Sequence, residues 1–200
     1  MWDERYATDD YIFGTAPSQF LEANAGLLTP GETALAVADG EGRNSVYLAE
    51  KGLAVTAMDS AATGIEKARR LAQAKGVEVD FRLADLKTWE WAPVKYDVVA
   101  AIFIQFAPPE FRAEIFNGIE RTLKPGGLLL LHGYTPKQLD YKTGGPSAEE
   151  NLYTRDMLSK RFGAWDILRL EEYEAELNEG AGHSGRSALI DLIARKPKTV

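Results

Sequence analysis

The 200-residue sequence predicts an α/β fold: a doubly wound sheet of seven strands, mostly parallel, with an antiparallel C-terminal strand. Three observations predict it. Five apolar, strand-like runs alternate with helical patterns between residues 33 and 134. Each of the first three runs ends at a carboxylate, and a turn with two glycines follows the first. The last two runs alternate apolar and polar residues and are joined by EGAGHSG, as an antiparallel hairpin would be.

The elements follow in order. Residues 16–28 read as an N-terminal helix. TALAVA (33–38) is a short buried strand, and 43–51 is a helix with Val46, Leu48 and Ala49 on its inner face. LAVTAMD (53–59) is the second strand. Ser60 is placed to cap the next helix, where Ile65, Ala68, Leu71 and Ala72 recur at helical spacing. Lys67, Arg69 and Arg70 on that helix read as a solvated face. VEVDFRLAD (77–85) alternates as a third strand, and YDVVAAIFI (96–104) is apolar throughout, as in a strand covered on both faces. Pro108 and Pro109 open a helix carrying Phe111, Ile115, Ile119 and Leu123, which Pro125-Gly126-Gly127 ends. LLLLHGY (128–134) is the fifth strand. A polar connection, a helix near 154–162 and the hairpin of 166–177 with 186–196 complete the chain. One domain over 1–200 is expected, with residues 1–30 as a lid and helix segment and 31–200 as the core.

Composition narrows the function. Lys and Arg number 23 against 30 Asp and Glu, a net charge of −7. The basic residues are scattered, so a small-molecule partner is favoured over nucleic acid. No apolar run reaches the roughly 18 residues of a membrane span, and the N-terminus has no apolar signal core. Cys is absent, which removes thiolate metal sites and cysteine nucleophiles, and no metal site is expected. A cytoplasmic location fits. Nothing in the sequence specifies an oligomer.

The carboxylates carry the chemistry. In an open parallel sheet, ligands bind beyond the carboxyl ends of the strands, which gathers Asp39, Asp59 and Asp85 on one edge. Gly40 and Gly42 allow a tight turn and close approach of a ligand, and the helix that follows offers free N–H groups. Asp59 lies 17 residues beyond Gly42, where a carboxylate can accept from both hydroxyls of a ribose. Its competing role is to cap the next helix. Asp85 can accept from the amine of an adenine, with Ala84 and Leu86 on the ring; its competing role is a turn. Ser45 stands where a dinucleotide fingerprint would carry its third Gly.

Taken together, the strand–Gly turn–helix–strand–Asp order and the terminal hairpin resemble the class I S-adenosylmethionine-dependent methyltransferases, which have a Rossmann-like fold. At closer range GEGRNSVYLAEKG (40–52), YDVVAAIFI, LKPGGLLLL and LIARKP are similar to the small bacterial tellurite-resistance, TehB-type branch. The resemblance implies S-adenosyl-L-methionine as cofactor and S-adenosyl-L-homocysteine as product. It implies that the loop with Ala38, Asp39, Gly40, Glu41, Gly42 and Asn44 holds the methionine part. Asp59 with Ser60 would hold the ribose, and Asp85 with Leu86 the adenine. Ala101, Ile102 and Gln105 would flank the sulfonium, and Tyr11 and Phe13 would belong to a segment folding over the cofactor. The loop departs from the family pattern at Ala36, where an acid is usual, and at Ala38, where the first Gly is usual. Asp39 is expected to supply the missing carboxylate from a shifted position.

For the acceptor, His183 and Arg186 lie near the expected mouth of the site, as a base and an anion ligand; a solvated loop His and a hairpin Arg are the competing reading. Gln105 and Tyr134 are further candidates. His132 reads as a packed, hydrogen-bonded histidine. Trp2, Tyr6, Tyr11 and Phe13 read equally as a lid over the substrate or as ordinary packing of an N-terminal arm, and Tyr141 and Lys142, in the long polar connection, are candidates for a substrate lid. A thiol or a chalcogen oxyanion (tellurite, selenite) is the favoured acceptor class, since soft nucleophiles need little help with deprotonation. The alternatives are an idle cofactor-binding sensor and, further off, a nicotinamide-dependent oxidoreductase.

Overall fold

A computed structural model gives the fold and describes residues 2–198. Its strands are β1 (Thr33–Val37), β2 (Ala54–Asp59), β3 (Asp80–Leu83), β4 (Tyr96–Ile102), β5 (Leu123–Tyr134), β6 (Asp166–Asn178) and β7 (Ser184–Arg195). They form one seven-stranded sheet in the order β3-β2-β1-β4-β5-β7-β6. The pairs β1/β2, β2/β3 and β4/β5 are parallel, and β5/β7 and β7/β6 are antiparallel. The helices are α1 (Trp2–Tyr6), α2 (Gln19–Ala23), α3 (Arg43–Glu50), α4 (Ala62–Lys75), α5 (Pro109–Thr122), α6 (Gln138–Tyr141) and α7 (Arg155–Phe162). Among the described residues, no helix is long and apolar enough to cross a membrane.

The chain divides into two compact units. The first comprises residues up to Glu90 together with Glu179–Gly182. Here β1 and β2 pair from Thr33↔Ala54 to Val37↔Met58. Ala36, Ala57, Val46, Ile65, Ala68, Leu71 and Phe81 close the core between strands and helices. α3 and α4 meet at Gly42, where a Cβ would stand 2.6 Å from the Cβ of Ala68; only Gly, at φ 91°, suits that spot. α4 ends at Gly76, whose left-handed backbone closes the helix.

The second unit comprises Trp91–Asn178 and the chain from His183 on. Leu128–Leu131 of β5 are fully buried, as a strand covered on both faces requires. α5 starts at Pro109 and buries Ile115, Phe116 and Ile119. α7 is capped by Thr154, whose hydroxyl accepts from the N–H of Met157 at 3.2 Å.

Several boundaries differ from the sequence reading. The helix expected over 16–28 is the short α2, capped by Ser18, followed by a 3-10 turn over Ala25–Leu27. β3 keeps only four of the nine residues expected. Ser60 does not cap α4: the capping position is Ala61, whose N–H is taken by the Asp59 carboxylate at 2.8 Å. Asp39 and Asp85 stand just beyond their strands, and Asp59 is the last residue of its own.

Candidate cofactor site

In the first unit the glycine loop is built around two carboxylates. The side chain of Asp59, 7% exposed, receives the N–H of Gly40 at 2.8 Å on one oxygen and the N–H of Ala61 at 2.8 Å on the other. Each oxygen keeps a second lone pair. The carboxylate is therefore oriented by backbone while still able to accept from two neighbouring hydroxyls. Burial pushes its pKa up, and the hydrogen-bonded backbone N–H groups of Ala61 and Gly40 pull it back. The helix-capping role weighed for Asp59 is met by the Ala61 N–H, and that contact leaves room on the carboxylate for further donors.

Asp39 caps the other helix. Its carboxylate receives the N–H of Ser45 at 3.2 Å and, through a short hydrogen bond, the Ser45 hydroxyl. Desolvation pushes its pKa up to about 6 against these two hydrogen bonds, while the charge of Arg43 pulls it down. Ala38 takes a left-handed conformation (φ 48°) with its N–H on the sulfur of Met58 at 3.4 Å, so the usual glycine's backbone shape is kept by an alanine.

The raised pKa of Asp39 has a signed consequence. Folded Asp39 holds a proton between its unfolded value of 3.8 and about 6 that the unfolded chain releases. Its contribution to stability therefore falls as pH rises through that window. Asp39→Asn removes this slope. In denaturant titrations, the variant gains about 1–3 kcal/mol relative to wild type between about pH 4 and about pH 7. An unchanged difference across that range would contradict the assignment.

Glu41 faces away from such a role. It is 3% exposed and pairs with Lys67, itself 3% exposed, at 2.7 Å. Its other oxygen receives the N–H of Ile12 at 2.8 Å, and Lys67 also donates to the carbonyl of Asp10 at 2.7 Å. Lys67 is therefore not part of a solvated helix face, as the sequence suggests; it ties α4 to the loop and to the N-terminal segment. Asn44 likewise accepts from the N–H of Ser18 at 2.9 Å. The Tyr11 hydroxyl donates to the carbonyl of Lys67 at 2.9 Å. Tyr6, stacked on Trp2 and edge-on to Phe13, puts its hydroxyl 2.7 Å from where a Cβ of Gly40 would be. The N-terminal segment thus lies over the loop. Ser60 is exposed; Asp85 is exposed and receives the N–H of Lys87 at 2.9 Å, a turn contact, while Leu86 is buried. Among the described residues, no group of three His, Asp or Glu side chains is arranged to hold a metal.

The second unit brings His132, Tyr134 and His183 around Phe103. Phe103 has a left-handed backbone (φ 56°), which turns its ring between His132 at 4.7 Å and His183 at 4.1 Å, with Tyr134 at 4.8 Å. His183 is buried, not a solvated loop residue. Nδ1 of His132 is 2.7 Å from Asp191, the packed and hydrogen-bonded state its sequence context suggests. Ala101 and Ile102 are buried in β4. Gln105 is spent on the backbone: its amide donates to the carbonyl of Tyr134 at 2.8 Å and accepts from the Tyr134 N–H at 2.6 Å, holding the end of β5. Arg186 lies in β7 and pairs with Glu174 at 2.7 Å. Glu174 also receives the Tyr141 hydroxyl at 2.7 Å and a short contact from Lys137. These partners hold its pKa down at about 2. Sequence reasoning assigned no site role to Arg43, Lys67 and Glu179, which pack around the loop in the first unit, or to Phe103 in the second. Arg43 alone had a local signal, following the loop directly in GEGRNS.

Comparison with known proteins decides the kind of fold this is. Residues 34–127 match the family model described as a methyltransferase domain. The match spans just under half of the chain. Methyltransferase structures also share its fold. An S-adenosylmethionine-dependent methyltransferase from Methanosarcina mazei aligns at 19% identity and TM-score 0.71, over 88% of this chain and 97% of that one. TehB from Haemophilus influenzae aligns at 20% identity and TM-score 0.71 over 98% of this chain; the chain spans 65% of TehB's length. A protein solved in work on the conversion of a disulfide bond into a thioacetal group during echinomycin biosynthesis aligns at 17% identity and TM-score 0.78, over 99% of this chain and 89% of that one. No curated protein matches the sequence. The domain match and the shared methyltransferase fold support a methyltransferase enzyme, with S-adenosyl-L-methionine as its cofactor.

Proposed function

We propose that the protein transfers a methyl group from S-adenosyl-L-methionine to a small soft or anionic acceptor, a thiol or a chalcogen oxyanion. The observation that carries the cofactor half of this reading is the Asp59 carboxylate, fixed by the Gly40 N–H and keeping a lone pair on each oxygen. A ribose diol needs two adjacent acceptors, and Asp59 presents them on the same scaffold that shapes the loop. Asp85 and Leu86 are assigned to the adenine, and Asp39 to the amino group of the methionine part.

The cofactor, when bound, supplies an activated methyl carbon on a positively charged sulfur, which becomes a neutral thioether as the acceptor's lone pair takes the methyl. The protein's part is to align the reactants and to exclude water. The N-terminal segment contributes to the exclusion of water, since Tyr6 lies against the loop at Gly40 and Tyr11 is held to α4. A soft nucleophile needs no strong base, which suits a second unit whose His132 is already engaged with Asp191. Lys137 and Arg186 share one carboxylate, Glu174, so the cluster retains one positive charge to attract an anion. His183 is assigned to the acceptor side, with Gln105 and Tyr134 as positioning residues. The overall net charge of −7 also favours a small acceptor over nucleic acid. A protein of similar fold was solved in work on the conversion of a disulfide bond into a thioacetal group, a reaction at sulfur, which supports the soft class.

The test is methyl transfer from methyl-labelled S-adenosylmethionine with a panel of small thiols, selenite and tellurite. The reading expects labelled acceptor and an equal amount of S-adenosylhomocysteine. Transfer only to amine or oxygen acceptors would overturn the acceptor class. Binding without transfer to any acceptor would leave a cofactor-binding sensor.

A further inference from the structure

Arg43 is the first residue of α3, directly after the glycine loop. It is 6% exposed, a rare state for arginine. One arm of its guanidinium, Nη2, donates to Glu179 at 2.8 Å. Glu179 is fixed in turn by the N–H of Gln19 at 2.8 Å. The other arm, Nη1, is buried with no hydrogen-bond partner. The guanidinium stands 5.9 Å over the ring of Phe13, and its charge reaches Asp39.

A buried charged donor left unmatched is costly, and its cheapest match is a carboxylate. Glu179 already neutralises the formal charge, so the second arm is suited to a ligand that carries its own compensating charge. An α-amino acid group is such a ligand: its carboxylate suits Arg43 while its ammonium suits Asp39 on the same loop. We propose that Arg43 is a cofactor-binding residue that holds the carboxylate of the methionine part of the cofactor through Nη1. This rests on the reading of the loop as an S-adenosylmethionine site.

The test is calorimetric. Wild type and Arg43→Gln are titrated with S-adenosylmethionine and with its decarboxylated counterpart, which lacks only that carboxylate. Wild type is expected to prefer the carboxylated compound by about tenfold or more, and Arg43→Gln to reduce the preference to within about threefold by losing affinity for that compound alone. Arg43→Lys, which keeps a charge for Glu179 and loses the planar fork, is expected to fall between them. Equal wild-type affinity for the two compounds overturns the proposal and leaves the cofactor reading standing. Equal loss for both compounds in Arg43→Gln also overturns it, because the residue would then act only on structure. Binding of neither compound by wild type removes the cofactor reading, and this assignment with it.

Discussion

Asp59→Ala is expected to lower the affinity for S-adenosylhomocysteine by about 100-fold or more. Two hydrogen bonds from a ribose to a charged acceptor are worth about 1.5–3 kcal/mol each, and both are lost. The loop suffers as well, because the N–H groups of Gly40 and Ala61 lose their acceptor. Titration calorimetry reads the first effect, and thermal unfolding without ligand reads the second. Asp59→Asn separates them: the amide keeps one acceptor oxygen for the backbone but no longer accepts from both hydroxyls, so it is expected to recover stability more than affinity. Affinity in Asp59→Ala within about threefold of wild type would show that this carboxylate serves only the helix and the loop.

Breaking the Glu41–Lys67 pair is expected to have the largest effect on stability. Both side chains are almost fully buried, and Lys67→Met leaves Glu41 with the N–H of Ile12 but no countercharge. Removing one partner of a buried pair typically costs about 3–5 kcal/mol. The double variant Glu41→Gln with Lys67→Met removes both charges and is expected to be more stable than Lys67→Met alone. Equilibrium denaturant unfolding decides it. A cost below about 1 kcal/mol for Lys67→Met would mean that the pair is solvated in solution. The same two residues hold Asp10 and Ile12 of the segment that lies over the loop, so the pair also fixes that segment.

The strands of the sheet were legible because parallel strands buried on both faces read as unbroken apolar runs, as in YDVVAAIFI and LLLL. The hairpin was legible from its alternation. Asp59 was legible because its place depends on local order: a strand ends and a helix begins. Lys67 was not. Beside Arg69 and Arg70 it looks like any solvated lysine, and its burial depends on Glu41, 26 residues earlier in the chain. Arg43 stands within the loop motif with no role visible in the sequence, since its partner Glu179 lies 136 residues away. The capping role given to Ser60 failed because Asp59, one residue earlier, reaches the Ala61 N–H itself. Gln105 had the chemistry of a ligand-orienting group, but its amide is matched to the backbone of Tyr134, a pairing that only the β4/β5 register creates.

The most direct measurement is calorimetric titration of the protein with S-adenosylmethionine, S-adenosylhomocysteine and NADH under the same conditions. The account predicts binding of both adenosyl sulfur compounds with dissociation constants on the order of micromolar, and none for NADH. Binding of NADH in their place, or of none of the three, would contradict it.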